Sequence, residues 1–208
     1  MSRVAVVHLD ESCLGNGRDG ENPGGAGGLI EVRSGRRIYR RDFYSYTPNT
    51  TNNQMALRGA IMALQTLAGK GNRLSVLMVS DSEYLVKGMR QWAPGWAARG
   101  WVRKAGPIEN LALWQELASV ARLHDVQWTW VRGHRGHPKN EYANDLAVMA
   151  ARKAISSEGA IESQFLQWLE TKKARGLFEG YDPDEAFEQL ERRVAEGESF
   201  PLAEKAWS

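Results

Sequence analysis

Apolar residues fall in two different periods along the chain, and the change of period marks its elements. Val4-Ala5-Val6-Val7-His8-Leu9 is a continuous β-branched and apolar run, which predicts a buried strand that delivers Asp10 at its end. Two further strands are expected over residues 27–32 and 36–44. Ala56, Ala60, Ala63, Leu64 and Leu67 then recur at helical spacing, behind Thr51 or Asn52 as the cap. Strand periodicity returns over 74–80 and ends at Asp81. Helices are expected over 82–89 and 110–123, a strand over 126–131 and a helix over 140–153. The order β-β-β-α-β-α-α-β-α implies an α/β domain whose mixed sheet has antiparallel and parallel parts and is flanked by helices.

The segment 15–28 is rich in glycine, but its spacing matches neither a dinucleotide fingerprint nor a phosphate loop. A flexible hairpin connection is the expectation there. After about Ser157 the composition shifts to Glu, Arg and Gln with spaced Phe and Leu, which predicts two amphipathic helices over 161–173 and 183–196. The chain therefore divides into a main domain, 1–156, and a helical C-terminal extension, 157–208. The apolar residues of the extension, Phe165, Leu166, Trp168, Leu169, Phe187 and Leu190, suit packing on the main domain or on a protein partner.

Charge and cysteine content narrow the function classes. The formal net charge is only +2, yet Lys87, Arg90, Arg99, Arg103 and Lys104 concentrate on one segment, so a local basic patch suited to a polyanion is expected. Cys13 is the sole cysteine, which excludes an intramolecular disulfide and a Cys-based zinc site. That fits a reducing compartment, and a cytoplasmic monomer without membrane association is the expectation. No apolar run approaches the roughly 18 residues of a membrane span.

Four blocks carry chemistry: Leu9-Asp10-Glu11-Ser12, Thr51-Asn52-Asn53-Gln54-Met55-Ala56-Leu57, Val79-Ser80-Asp81-Ser82-Glu83, and Gly133-His134-Arg135-Gly136-His137-Pro138 running on through Asn140 to Asn144-Asp145. With Gln91-Trp92, Trp96, Arg99-Gly100-Trp101, Leu113-Trp114-Gln115 and Trp128-Thr129-Trp130, they resemble bacterial type 1 ribonuclease H over about residues 3–155. The resemblance implies a ribonuclease H-like fold with a five-stranded mixed sheet and metal-dependent endonucleolytic cleavage of the RNA strand of RNA–DNA hybrids. Its cofactor would be Mg²⁺, with Mn²⁺ as a substitute, held by carboxylates as hard oxygen ligands.

Carried over position by position, Asp10 and Asp81 are metal ligands and His134 is the mobile loop histidine of the site. His137 suits loop structure, and His8 reads as a satisfied core residue. The other two carboxylate positions hold Ala56, which offers no ligand, and Asn144, which offers one neutral oxygen; weak or absent activity follows as an expectation. Three accounts stand open: deliberate inactivation, natural loss leaving a non-catalytic hybrid-binding module, or relocation of carboxylates to Glu11 or Asp145. Strand alternation points residue 11 away from the face of Asp10, which favours Glu11 as a crowding group where the family has glycine. The resemblance also places Asn16, Asn52, Asn53 and Glu83 along the hybrid groove, Glu83 standing where glutamine is usual and offering either a weakened contact or a metal-proximal carboxylate. Lys87, Arg90, Trp96, Arg99, Arg103 and Lys104 form the basic handle for a DNA backbone, with Trp92, Trp101 and Trp114 expected in the core.

Overall fold

The computed structural model describes residues 3–15, 22–69, 71, 73–133 and 136–201. Six strands, β1 (Val4–Cys13), β2 (Gly24–Ser34), β3 (Arg37–Thr47), β4 (Ser75–Ser80), β5 (Asp125–Trp130) and β6 (Ile161–Glu162), form one sheet in the order β5-β4-β1-β2-β3-β6. The strands β5, β4 and β1 run parallel, while β2, β3 and β6 pair antiparallel. The sheet thus gains a sixth strand beyond the five expected. Residues 161 and 162 begin the extension as an edge strand, and the helix expected there starts four residues later, at Phe165.

Alternation along β1 assigns the two faces. Ala5, Val7 and Leu9 pack with α1 (Asn52–Ala68) in the largest apolar core, which also takes in Trp114 and Leu117 of α4 (Leu111–Ala121). Val4 and Val6 face the opposite way and pack with Leu77, Val79 and residues of α7 (Pro183–Ala195). On that second face α5 (Pro138–Lys153) lies across β2, and α6 (Phe165–Lys173) joins it around Leu29, Tyr142, Phe165 and Leu169. The C-terminal extension therefore supplies part of the cover of one sheet face.

Much of the glycine-rich segment is strand. Gly25 and Gly27 lie in β2 under α5, where a Cβ would come within 2.1 Å of Ala147 O and 2.5 Å of Ala147 N respectively. Glycine here lets the helix backbone rest directly on the strand, a packing demand that composition reads as loop.

Short elements α2 (Glu83–Lys87), a π-helical turn (Gly88–Trp92) and α3 (Ala93–Ala98) lead from β4 into the basic segment. α2 and the start of the turn occupy the helix expected over 82–89, while the rest of the turn and α3 extend it where the Pro94-Gly95 pair gave no helical signal. Thr51 caps α1, its side chain accepting from Gln54 N. No helix among the described residues is long and apolar enough to cross a membrane.

Candidate active site

β1 continues three residues past Asp10, pairing with β2 as far as Cys13 opposite Gly24. Its parallel neighbour β4 stops earlier, with Leu9 opposite Ser80 as the last pair. Asp10 and Glu11 thus stand beside the open end of β4, where Asp81 leaves the sheet. Side chains converge at such a place because the backbone no longer fills it. Trp130 Nε1 donates to Asp81 O at 2.8 Å and fixes that exit.

Carboxylate oxygens of Asp10, Glu11 and Asp81 lie within 4.8 Å of one another. Burial first, and the Asp81 carboxylate second, push the Asp10 carboxyl up to about 8. Burial, then Asp10 and Asp81, hold the Glu11 carboxyl well above its ordinary range, against a hydrogen bond from Ser82. Glu11 Oε2 is buried with no hydrogen-bond partner among the described residues. Three crowded hard-oxygen donors, one of them without a donor group to satisfy it, form a set that suits a divalent cation.

The placement of Glu11 corrects the expectation that it turns away. Alternation does put it on the α1 side, with Leu9, and puts Asp10 on the α5 side. At this level β4 has ended, so two methylene groups suffice to bring the glutamate carboxylate round the strand to Asp81. Ala56 is fully buried on that same α1 side of the sheet. The methyl group stands on the face from which Glu11 now extends its carboxylate.

Relocation to Asp145 finds no support. Asp145 Oδ2 accepts from Trp168 Nε1 at 2.8 Å and lies 3.5 Å from Lys172 Nζ, so it docks α6 on α5. Glu83, weighed as a metal-proximal carboxylate, is exposed and pairs with Lys87 Nζ at 2.5 Å. Asn144 is half-buried on α5, one turn beyond Asn140. Asn140 is a site residue that pattern reading missed: its Nδ2 donates to Asp10 Oδ2 at 3.0 Å. Its one sequence signal was the four-residue spacing from Asn144.

His134 and Asn16 lie outside the described residues. Nearby, Gly133 passes so close to Asp81 that a Cβ would come within 2.1 Å of Oδ2. His137 occupies the N-cap position of α5. His8 is buried as expected, but its Nδ1 has no partner among the described residues, and burial holds its pKa well below the ordinary value.

Asn52 and Asn53 begin α1 and are half-buried. The neighbouring Gln54 Nε2 donates to Asn110 Oδ1 at 3.2 Å, and Asn110 Nδ2 to the Tyr84 hydroxyl at 3.3 Å, which ties α1 to the start of the basic segment. There Trp96 packs between Trp92 and Trp114. Trp114 is in the core as expected, Trp101 is half-buried, and Trp92, at the end of the π-helical turn, is on the surface. Arg99, Arg103 and Lys104 are exposed, Arg103 Nε donating to Gly106 O at 3.0 Å. Arg90 departs from the expected phosphate role at one nitrogen, since Nη1 donates to the carbonyls of Trp128 and Phe200, each at 3.0 Å.

Comparison with known proteins agrees with this scaffold. The RNase H family model matches residues 2–152. The ribonuclease H of Xanthomonas campestris pv. campestris is 38% identical over 156 residues, 74% of this chain and 95% of that protein. That of Photorhabdus luminescens is 36% identical over 167 residues, covering 79% and 99% of the two chains. Among solved structures, LC9-RNase H1, described as a type 1 RNase H with the type 2 active-site motif, is 51% identical with a TM-score of 0.75 and 81% of each chain covered. A foamy viral protease-reverse transcriptase solved with an RNA/DNA hybrid shares the fold at 16% identity and a TM-score of 0.62, over 73% of this chain and 20% of that one. A strand-end acidic cluster, built on this sheet order and matched along three quarters of the chain by bacterial relatives, leaves one assignment: the chain belongs to the ribonuclease H family.

Proposed function

We propose that this protein hydrolyses the RNA strand of RNA–DNA hybrids with divalent cations, and that Glu11 supplies the carboxylate that α1 lacks at Ala56. The observation that carries the reading is the clustering of Asp10, Glu11 and Asp81 oxygens within 4.8 Å. The expectation of weak activity rested on two anionic ligands, whereas the geometry offers three, with Asn144 on α5 as a further neutral oxygen. Asp10, Glu11 and Asp81 would hold the ions, Mg²⁺ or Mn²⁺. Bound there, the cations supply charge neutralisation at the scissile phosphate and make an attacking water reactive near neutral pH. The relative described as carrying a type 2 motif on a type 1 scaffold supports an altered carboxylate arrangement on an otherwise ordinary member of the family.

Substrate binding belongs to the same reading. Asn52 and Asn53 stand at the start of α1, and amide side chains there suit 2′-hydroxyl recognition. Lys87, Arg99, Arg103 and Lys104 of the basic segment suit a DNA phosphate backbone, so binding is expected to weaken steeply with salt.

The test is Glu11→Gln, which keeps shape and removes charge. It is expected to lower Mg²⁺-dependent cleavage of a labelled hybrid by at least about 100-fold while the melting temperature holds or rises, since a buried charge is removed. Cleavage at the wild-type rate would exclude Glu11 from the site. A wild-type chain that binds hybrid without cleaving it in Mg²⁺ or Mn²⁺ would favour a binding module instead.

A further inference from the structure

Asp10 is gripped at both carboxylate oxygens. The backbone N–H of Glu11 donates to Oδ1 at 2.6 Å, and Asn140 Nδ2 donates to Oδ2 at 3.0 Å. One grip comes from the strand itself and the other from the first turn of α5, on the sheet face that Asp10 occupies. An ionised carboxylate only accepts hydrogen bonds, so the Asn140 amide presents its NH₂ to Asp10. Its Oδ1 is left over, in a side chain only 1% exposed, and has no hydrogen-bond partner among the described residues. Buried acceptors without a donor are uncommon, and beside a carboxylate cluster the available donor is water carried in by a cation; Mg²⁺ in particular keeps several of its waters.

The turn that carries Asn140 is itself anchored. Next to it, Lys139 is buried, pairs with Glu31 at 2.7 Å and donates to Pro183 O of the C-terminal extension at 3.1 Å. An amide also suits the position chemically. A carboxylate there would face Asp10 as a like charge and could not donate to it.

We propose that Asn140 is a positioning residue of this site: it fixes Asp10 in the orientation a divalent cation requires, and its remaining carbonyl oxygen holds a water of that cation. This rests on the metal-dependent reading above, so the test separates the two. Mn²⁺ titration calorimetry on the full chain, with melting curves in EDTA as the check on folding, compares wild type with Asn140→Ala. The expected result is a folded variant whose Mn²⁺ affinity falls about 10- to 100-fold, the usual effect of losing a group that orients a ligand. Steady-state cleavage should show kcat reduced with KM for hybrid little changed.

The isosteric Asn140→Asp keeps the shape and removes the donor, so it decides the matter if the alanine variant does not fold: its kcat is expected to fall likewise. Mn²⁺ affinity of Asn140→Ala within twofold of wild type, or a wild-type kcat in Asn140→Asp, overturns the inference alone. A wild-type chain that takes up no Mn²⁺ overturns the metal-dependent reading and this inference with it.

Discussion

At the scale of single residues, the proposed function makes Glu11 and Ala56 one exchange. Ala56 of α1 is buried on the sheet face from which Glu11 extends, and on that reading a carboxylate from either position would compete for one place in the cluster. Ala56→Glu alone is therefore expected to destabilise the protein by about 2–4 kcal/mol, because a second acid enters a buried site beside Glu11. Combined with Glu11→Gly it should recover both stability and cleavage, as read by melting curves and hybrid assays on the two variants. Equal stability of single and double variants would show that the positions do not share space. Protonation adds a second prediction at this scale. Without a cation, Asp10 titrates near 8 when folded against an ordinary 3.8. Between those values the folded state binds the extra proton, so stability falls as pH rises through the window. A cation that keeps Asp10 ionised cancels that loss, and the melting-temperature gain from Mg²⁺ over EDTA should grow from about pH 5.5 to about pH 8.5. A pH-independent gain would mean that the ion binds elsewhere.

At the scale of elements, the first turn of α5 joins the catalytic sheet to the extension. Lys139 and Arg40 share the fully buried Glu31, and Arg40 Nη2 also reaches Asp184 at 2.6 Å, just inside the N-terminus of α7. Burial alone would lower the Lys139 pKa, and Glu31 opposes that. Lys139→Met leaves part of the Glu31 charge without a partner and is expected to cost about 3–5 kcal/mol, measured by denaturant unfolding. A loss below 1 kcal/mol would mean that Arg40 satisfies Glu31 unaided. The sequence showed none of this, because a lysine and a glutamate 108 positions apart, residues 31 and 139, carry no local pattern.

At the scale of the molecule, the extension crosses one face of the sheet from edge to edge. It adds β6 beside β3, lays α6 and α7 over the sheet, and brings Phe200, buried, near β5, where Thr129 Oγ1 donates to Pro201 O at 3.0 Å. Phe165, Phe187 and Phe200 are each at most 2% exposed. Their burial is worth on the order of 5–9 kcal/mol together, comparable with the whole stability of an ordinary domain. Residues 1–156 alone are therefore expected to lose cooperative unfolding or to melt far below the full chain, as thermal circular dichroism would show. A fragment that melts like the full chain would make the extension a dispensable cap.

The sequence by itself determined the five main strands and the long helices, because hydrophobic period is a local property, and it singled out Asp10 and Asp81, which stand where strand runs end, as ligand candidates through the family resemblance. It also raised Glu11 as a departure without deciding its role. Only the tertiary structure placed its carboxylate beside Asp10 and Asp81, since the reach of a side chain past a strand depends on where the neighbouring strand stops. The same holds for the glycines under α5, for Asn140 against Asp10 and for the ion pairs that hold the extension: each joins residues far apart in the chain, at distances that no periodicity encodes.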